Sequence, residues 1–470
     1  MSKLVSALAA ASLLLAGSAQ AQTRPDQVAF RALYKELVET NTTASVGNCT
    51  LAAEKMAARM KAAGFPERDL TIFTAPDYPK NGGLVAVYPG SDPKAKAVLL
   101  LAHIDVVEAK REDWTRDPFT LIEEGGYFYA RGASDDKAQA SIWVDSLIRY
   151  RQEGFKPRHT LKIALTCGEE GGSPFNGAAW LVQNKRELID AAFALNEGAG
   201  GQLDDHGKRI AHTIQAGEKT SQSYTLEVTN PGGHSSRPVP DNAIYRLADA
   251  LEKVRHYEFP VMLSDGNRAY LAGMAKVDGG ARGAAMKALL ANPKDAKADA
   301  LLSKDPGLHT MLRTTCVATM LSAGHAQNAL PQRATANINC RIFPGISREA
   351  VRAALINQLA DPQVSVTAGG IAGPRGEAPA PPLTPQIMGP IEQVSAELWP
   401  GIPVIPILQA GATDGKALTA GGIPTYGVQG IFYEPDLGRI HGLNERIGVT
   451  SLYEARDFLY KLVKLYADQP

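Results

Sequence analysis

The chain has 470 residues, 44% of them hydrophobic, with 44 glycines, 30 prolines and 49 basic against 49 acidic residues. Zero formal net charge leaves no global electrostatic footprint for nucleic acid or an anionic membrane. Four cysteines without a CxxC exclude a disulfide-dense scaffold and a cysteine zinc site, and the length suits two domains or one large domain with an insertion.

Residues 1–21 begin with Lys3, run through an apolar stretch too short to favour a membrane span, and end on Ala19-Gln20-Ala21. They read as a secretory signal peptide cut between Ala21 and Gln22. An exported protein follows, periplasmic in a Gram-negative cell and without a membrane anchor. The spacing next predicts helix over 26–64, stopped by Gly64. "GLVAVYPG", "KAVLLLAHIDVV", "TLKIALTCGEE" and "AAFALNEGAG" read as strands, with helices at "DKAQASIWVDSLIRYRQEG" and "NGAAWLVQNKRELID" between them. Buried strands alternating with helices predict an α/β sheet covered on both faces.

Near residue 216 the texture changes. "SQSYTLEVTN" and "RATANINCRIF" alternate polar and apolar, "DNAIYRLADALEKV" and "SREAVRAALINQLA" are amphipathic helices, and "VSVTA" is a short strand. This is a β-α-β-β-α-β-like (ferredoxin-like) α+β unit. The predicted division is 22–215 and 371–470 for one α/β catalytic domain, interrupted by a lid over 216–370. A mostly helical insertion over about 256–312 has no functional reading. The Pro- and Gly-rich residues 369–385 read as the exit linker.

Five stretches put acids or a histidine at strand ends or in glycine-rich turns. "LLLAHIDVV" carries His103 and Asp105, "ARGASDDKAQ" carries Asp135 and Asp136, and "LTCGEEGGS" carries Glu169 and Glu170. "ALNEGAGG" carries Glu197 and "GRIHGLNERIG" carries His441. Taken singly, each has an ordinary structural reading as a turn, a helix cap or a solvated loop. Taken together, they would meet at the carboxyl ends of the strands, where open α/β sheets bind ligands. Carboxylates and imidazoles without a thiolate suit a divalent metal, zinc above all.

In their order and wording, "HIDVV", "ARGASDDKA", "GEEGG", "NEG" and "IHGLNE" resemble the M20 family of metallopeptidases, over nearly the whole mature chain. The resemblance implies a zinc-peptidase-type mixed sheet and a lid that serves dimerisation in the family; a homodimer through that lid is one expectation, and the insertion within it leaves the oligomeric state open. It implies two zinc ions per subunit. Asp135 would bridge them, His103 and Glu197 would complete one ligand set, and Glu170 and His441 the other. Asp105 would orient the His103 ring from behind, and a cis peptide would join Asp135 to Asp136. Glu169 would be the general base. His234, in "NPGGHSSRP", would stabilise an oxyanion, in its own subunit or its neighbour's. Asn328 and Arg341 would hold a substrate carboxylate, and Gly411, Ala412 and Thr413 would form a substrate-binding loop. Cys167 reads as a small buried residue, and pairing among Cys49, Cys167, Cys316 and Cys340 stays open.

The function so implied is release of a C-terminal amino acid from a short peptide, since Glu197 rather than Asp is more typical of carboxypeptidases and acyl-amino-acid hydrolases. An N-acyl-amino-acid amidohydrolase with the same chemistry is the alternative. A non-catalytic exported binding protein, the alternative of another class, predicts a broken ligand set or a missing base. No GxSxG supports a serine hydrolase.

Overall fold

Val98–Ala102 is an unbroken apolar run, so its strand must be covered on both faces, and it forms the centre of the computed structural model. The structure describes residues 24–171, 174–369 and 379–470; the signal-peptide reading and most of the linker reading lie outside the described residues. Helices α1 (Pro25–Val38) and α2 (Cys49–Ala62) precede strands β1 (Leu70–Ala75), β2 (Tyr78–Tyr88), β3 (Val98–His103), β4 (Ile122–Glu124) and β5 (Tyr127–Tyr129). Next come α3 (Lys137–Glu153), β6 (Leu161–Thr166), α4 (Gly177–Asn184), α5 (Arg186–Ile189), β7 (Phe193–Asn196), β8 (Ala199–Leu203) and β9 (Arg209–Glu218).

The middle of the chain holds β10 (Thr220–Thr229), β11 (Gly233–His234), α6 (Ala243–His256), α7 (Asp265–Val277), α8 (Gly280–Ala291), α9 (Ala296–Leu302) and α10 (Pro306–Met311). It continues through β12 (Thr315–Ala323), β13 (Ala329–Leu330), β14 (Arg333–Ile342), α11 (Arg348–Leu359) and β15 (Val364–Gly369). The last stretch holds α12 (Pro385–Leu398), β16 (Val404–Gln409), α13 (Gly415–Ala420), β17 (Thr425–Gly427), β18 (Phe432–Tyr433), β19 (Arg446–Gly448) and α14 (Val449–Ala467).

The main sheet is mixed, in the order β1-β2-β6-β3-β7-β17-β9-β8-β18, with β16 also paired to β9. Its central strands β6, β3 and β7 are parallel. Alternation along β3 divides the core. Val98, Leu100 and Ala102 join the cluster with α1, α2, α3, α12 and α14, while Leu99 and Leu101 join the one with α4 and α13. The expected helix over 26–64 is two helices. Between them Thr42 and Thr43 leave the helical path and brace the end of β3: the Thr42 hydroxyl donates to the Ile104 carbonyl at 2.6 Å, and Thr43 bridges Val106. Asn48 then caps α2, its side chain accepting from the Leu51 amide.

A second, all-antiparallel sheet has the order β12-β14-β10-β15 and its own core under α6 and α11. Helices α7–α10, the insertion within this stretch of sequence, pack elsewhere. Leu271, Met286, Leu289 and Leu302 close over Ala211, Ile405 and Ile407 of β9 and β16 in the main sheet. Both cysteine pairs are disulfides: Cys49–Cys167 ties α2 to the loop after β6, and Cys316–Cys340 joins β12 to β14.

Candidate active site

Three neighbouring parallel strands deliver the site. His103 ends β3 opposite Thr166, the last residue of β6, so the Glu169–Glu170 loop leaves beside it. Glu197 follows the end of β7 on the other side of β3. Asp135 lies just before α3, with a cis peptide to Asp136, and His441 lies in the loop before β19. The sheet thus projects these side chains into one space at its carboxyl edge.

Asp135 faces both histidines with separate oxygens: Oδ1 is 3.0 Å from His103 Nε2, and Oδ2 is 3.2 Å from His441 Nε2. Glu197 Oε1 stands 3.6 Å from His103 Nε2, and Glu170 Oε2 stands 2.7 Å from His441 Nε2. Ligand atoms of His103, Glu169 and Glu197 lie within 4.8 Å of one another, as do those of His103, Asp135 and Glu170. The carboxylate spanning two imidazoles, each with a further carboxylate, is a donor set that fits two divalent cations.

Electrostatics points the same way. Burial opposes the charge on His103, but Glu197 and Asp135 lift it well above the usual imidazole range. Contacts with Asp135 and Glu170 raise His441 to about 10. Burial drives Glu169 up to about 9, helped by Asp414, Glu170 and Asp105 against the pull of His103, and burial also raises Glu197 well above normal. Asp135 is lowered: burial works against it, and the hydrogen bonds from His103 and His441 prevail. Carboxylates crowded at such cost to their ionisation are suited to neutralisation by cations.

Asp105 faces both the His103 ring and the loop after β6. The nearest partner of His103 Nδ1 is the Asp105 carbonyl oxygen, at 3.1 Å, while its carboxylate is 3.7 Å away. That carboxylate also accepts from the Glu169 amide at 3.3 Å and the Glu170 amide at 3.1 Å. Asp105 lies two residues beyond the end of β3, beside the loop that follows β6. It holds the backbone of the expected base.

The remaining expected residues divide. Ala412 and Thr413 line a cleft of about 370 Å³ together with Glu169, and Gly411 is exposed beside it. The Thr413 amide donates to Glu218 at 2.6 Å. His234 is exposed, and its Nδ1 accepts from the Ser236 amide and hydroxyl in its own turn. The Asn328 carbonyl accepts from the Ser235 amide, at the strand pair β11-β13. Arg341 is on β14 opposite Ser221 and Thr315. His234, Asn328 and Arg341 are therefore not brought into the group around Asp135 within this chain.

Sequence reasoning missed three residues. Glu445, 1% exposed, accepts from Arg131 Nη1 at 2.8 Å, from the amides of Gly132 and Ser134 at 3.0 and 2.9 Å, and from the Asp135 amide at 3.2 Å. It clamps the loop that presents Asp135, and its place four residues after His441 in "HGLNE" was the available signal. Arg348 and Lys416 are cationic residues that line the cleft with Glu169. They belong to motifs with no signature of their own.

Residues 99–465 match the family model described as peptidase family M20/M25/M40. Human N-fatty-acyl-amino acid synthase/hydrolase PM20D1 is 28% identical over 385 residues, covering 80% of this chain and 75% of that protein. Rat (Rattus norvegicus) aminoacylase-1A is 26% identical over 393 residues, covering 82% and 84%. Among solved structures, the M20 family metallo-carboxypeptidase Sso-CP2 from Sulfolobus solfataricus superposes with a TM-score of 0.67 at 19% identity, covering 95% of this chain and all of that one. The Bacillus subtilis YXEP protein, described as a dinuclear metal binding peptidase, gives a TM-score of 0.59 at 12% identity over 94% and 98%.

Proposed function

Since this chain belongs to peptidase family M20/M25/M40 and is a hydrolase of peptide or N-acyl-amino-acid amide bonds, we propose that it releases an amino acid with a free carboxylate, with Glu169 as general base at a two-zinc centre. The observation that carries this is Asp135 set between His103 and His441, with Glu197 and Glu170 behind and Glu169 at the same space. Bound there, the zinc ions would supply Lewis acidity toward the amide carbonyl and acidify a water molecule.

The chain's own residues do the rest. His103, Asp135 and Glu197 would hold one ion, and Asp135, Glu170 and His441 the other. Beside bound cations Glu169 would be held in the carboxylate form against the burial that raises its pKa. Its carboxylate takes a proton from water as the oxygen adds to the carbonyl carbon, and gives that proton to the leaving nitrogen when the C–N bond breaks. Asp105 keeps Glu169 in place through the loop amides. Arg348 and Lys416 give the cleft the positive charge that a substrate carboxylate needs. A non-catalytic binding protein predicts a gap in this set, and all six side chains are together.

Export to the periplasm belongs to the same reading, supported by the leader pattern and by two disulfides, which persist in oxidising compartments. Among the described residues no helix is long and apolar enough to cross a membrane. A homodimer through the second sheet is supported by β12, an edge strand with Val317, Met320 and Leu321 each more than half exposed. His234 would then serve the neighbouring subunit's site as oxyanion donor.

The test is hydrolysis of blocked dipeptides and N-acyl amino acids by wild type and Glu169→Gln. Turnover in wild type, lost at least a thousandfold in a variant that keeps its metal, is expected. Equal turnover in both would remove Glu169 from the mechanism.

A further inference from the structure

Glu169 and Glu170 stand on a loop whose own backbone does not fix them. Gly168 (φ 91°) and Gly171 (φ 80°) flank the pair in the left-handed region, which glycine enters and leaves without steric cost. Contacts from outside the loop must therefore hold the two acids. The Asp105 carboxylate accepts from their amides, the Gly177 amide donates to the Cys167 carbonyl at 2.7 Å, and Asn176 Nδ2 donates to the Gly168 carbonyl at 3.2 Å. A further anchor is covalent. Cys167, the first residue after β6 and two before Glu169, is bonded to Cys49.

Cys49 opens α2, directly after the turn over residues 41–48 that separates α1 from α2. That turn is closed on itself: the Gly47 amide donates to the Thr43 carbonyl and the Asn48 amide to the Asn41 carbonyl, both at 2.9 Å. It also grips the segment that follows His103. The Thr42 hydroxyl reaches the Ile104 carbonyl, and the Val106 amide donates to the Thr42 carbonyl at 3.4 Å. Ser45 gives its amide and its hydroxyl to the Glu108 carboxylate, each at 2.9 Å. Asp105 lies inside the gripped segment.

These contacts close a ring. From Asp105 it runs through the Glu169 amide back along the loop to Cys167, and across the sulfurs to Cys49. It then follows the turn to Thr42 and returns to Asp105 through Ile104 and Val106. Its residues line a cavity of about 70 Å³, among them Thr42, Ser45, Cys49, Asp105, Cys167 and Gly168. Side chains do not fill the ring, so its shape depends on its links, and the sulfur–sulfur bond is the cross-link that thermal motion does not open. The second disulfide, Cys316–Cys340, lies between β12 and β14 in the antiparallel sheet and belongs to no such ring.

We propose that the Cys49–Cys167 disulfide is a positioning element for catalysis: by closing this ring it holds Glu169 against Asp105, and the site is complete only in the oxidised chain. This rests on the reading of Glu169 as general base. A bond that served global stability alone would leave the turnover of the folded protein unchanged when removed.

The test compares wild type with Cys49→Ala/Cys167→Ala and with Cys316→Ala/Cys340→Ala, each metal-loaded and assayed well below its own melting temperature. The first pair should lower kcat about 10- to 100-fold with KM changed less than about threefold, as expected for a reacting group displaced by about an ångström. The second pair should leave both constants unchanged. Hydrogen exchange read by mass spectrometry without substrate should quicken about tenfold or more at residues 167–171 in the first variant only. Thr42→Val, which keeps the bond and the side-chain shape but removes the hydroxyl link to Ile104, should quicken exchange at the same residues by a smaller factor. Unchanged kcat in Cys49→Ala/Cys167→Ala while Glu169→Gln is inactive overturns the proposal and leaves the base reading standing. Equal losses of kcat in the two disulfide variants also overturn it. Turnover retained in Glu169→Gln overturns the base reading, and exchange alone then judges the ring. Should Cys49→Ala/Cys167→Ala not fold, exchange unmoved in Thr42→Val overturns the ring.

Discussion

Replacing Glu445 by alanine tests whether the Asp135 loop is held by a buried acid. Glu445 and Arg131 are 1% and 3% exposed, so removing Glu445 strips the buried guanidinium of its carboxylate partner and leaves Nη2 on the Gly442 carbonyl. Leaving a buried charge unpaired costs about 3–5 kcal/mol. The amides of Gly132, Ser134 and Asp135 also lose their acceptor. Water entering the vacated space can satisfy those amides but cannot neutralise Arg131, so the arginine dominates. The expected loss is therefore about 3–5 kcal/mol, read from urea unfolding by the fluorescence of Trp114, whose ring lies 5.0 Å from Arg131. Arg131→Met combined with Glu445→Ala should cost less than the sum of the single changes by about 2 kcal/mol, because no charge is stranded. A loss under about 1 kcal/mol in Glu445→Ala, or strict additivity in the double variant, would refute the clamp.

The other predictions concern pH, positioning and assembly. His212 is fully buried between Ser395 and the Gln429 carbonyl, and burial lowers it to about 4 from 6.5. The unfolded chain binds the extra proton between those values, so stability is complete above about pH 6.5 and falls by up to about 3 kcal/mol toward pH 4. His212→Gln should flatten that limb of a urea-midpoint profile, and parallel profiles would contradict the assignment. Asp105→Ala releases the Glu169 and Glu170 amides and should lower kcat about 10- to 100-fold with a smaller change in KM; steady-state kinetics on the best substrate decides. Val317→Glu with Leu321→Glu on β12 should convert a dimer to a monomer in sedimentation velocity, and an unchanged assembly would place the interface elsewhere.

Legibility in the sequence follows how local each signal is. The run Val98–Ala102 and the alternation of "RATANINCRIF" dictate buried and half-buried strands from neighbours alone, and β3 and β14 follow them. The break between α1 and α2 was hidden because Thr42 and Thr43 leave the helix to serve Ile104 and Val106, more than 60 residues away. The helical character of 256–312 was readable, but its docking on β9 and β16 depends on Ile405 and Ile407, supplied by a later strand. In the site, His103, Asp135, Glu169, Glu170, Glu197 and His441 announce themselves by strand ends and glycine turns. Asp105 was visible beside His103, but its hold on the Glu169 and Glu170 amides was not, since amides carry no side-chain signature. Glu445, Arg348 and Lys416 act through burial or through a cleft wall built from distant segments, and composition shows neither.

The most direct test of the central claim is metal stoichiometry by mass spectrometry of the purified protein and of Asp135→Ala, both dialysed against micromolar zinc. Two zinc ions per chain in wild type and a loss of both in the variant are predicted, because one carboxylate faces both histidines. One ion or none in wild type, or two retained after Asp135→Ala, would contradict a centre built on a bridging aspartate.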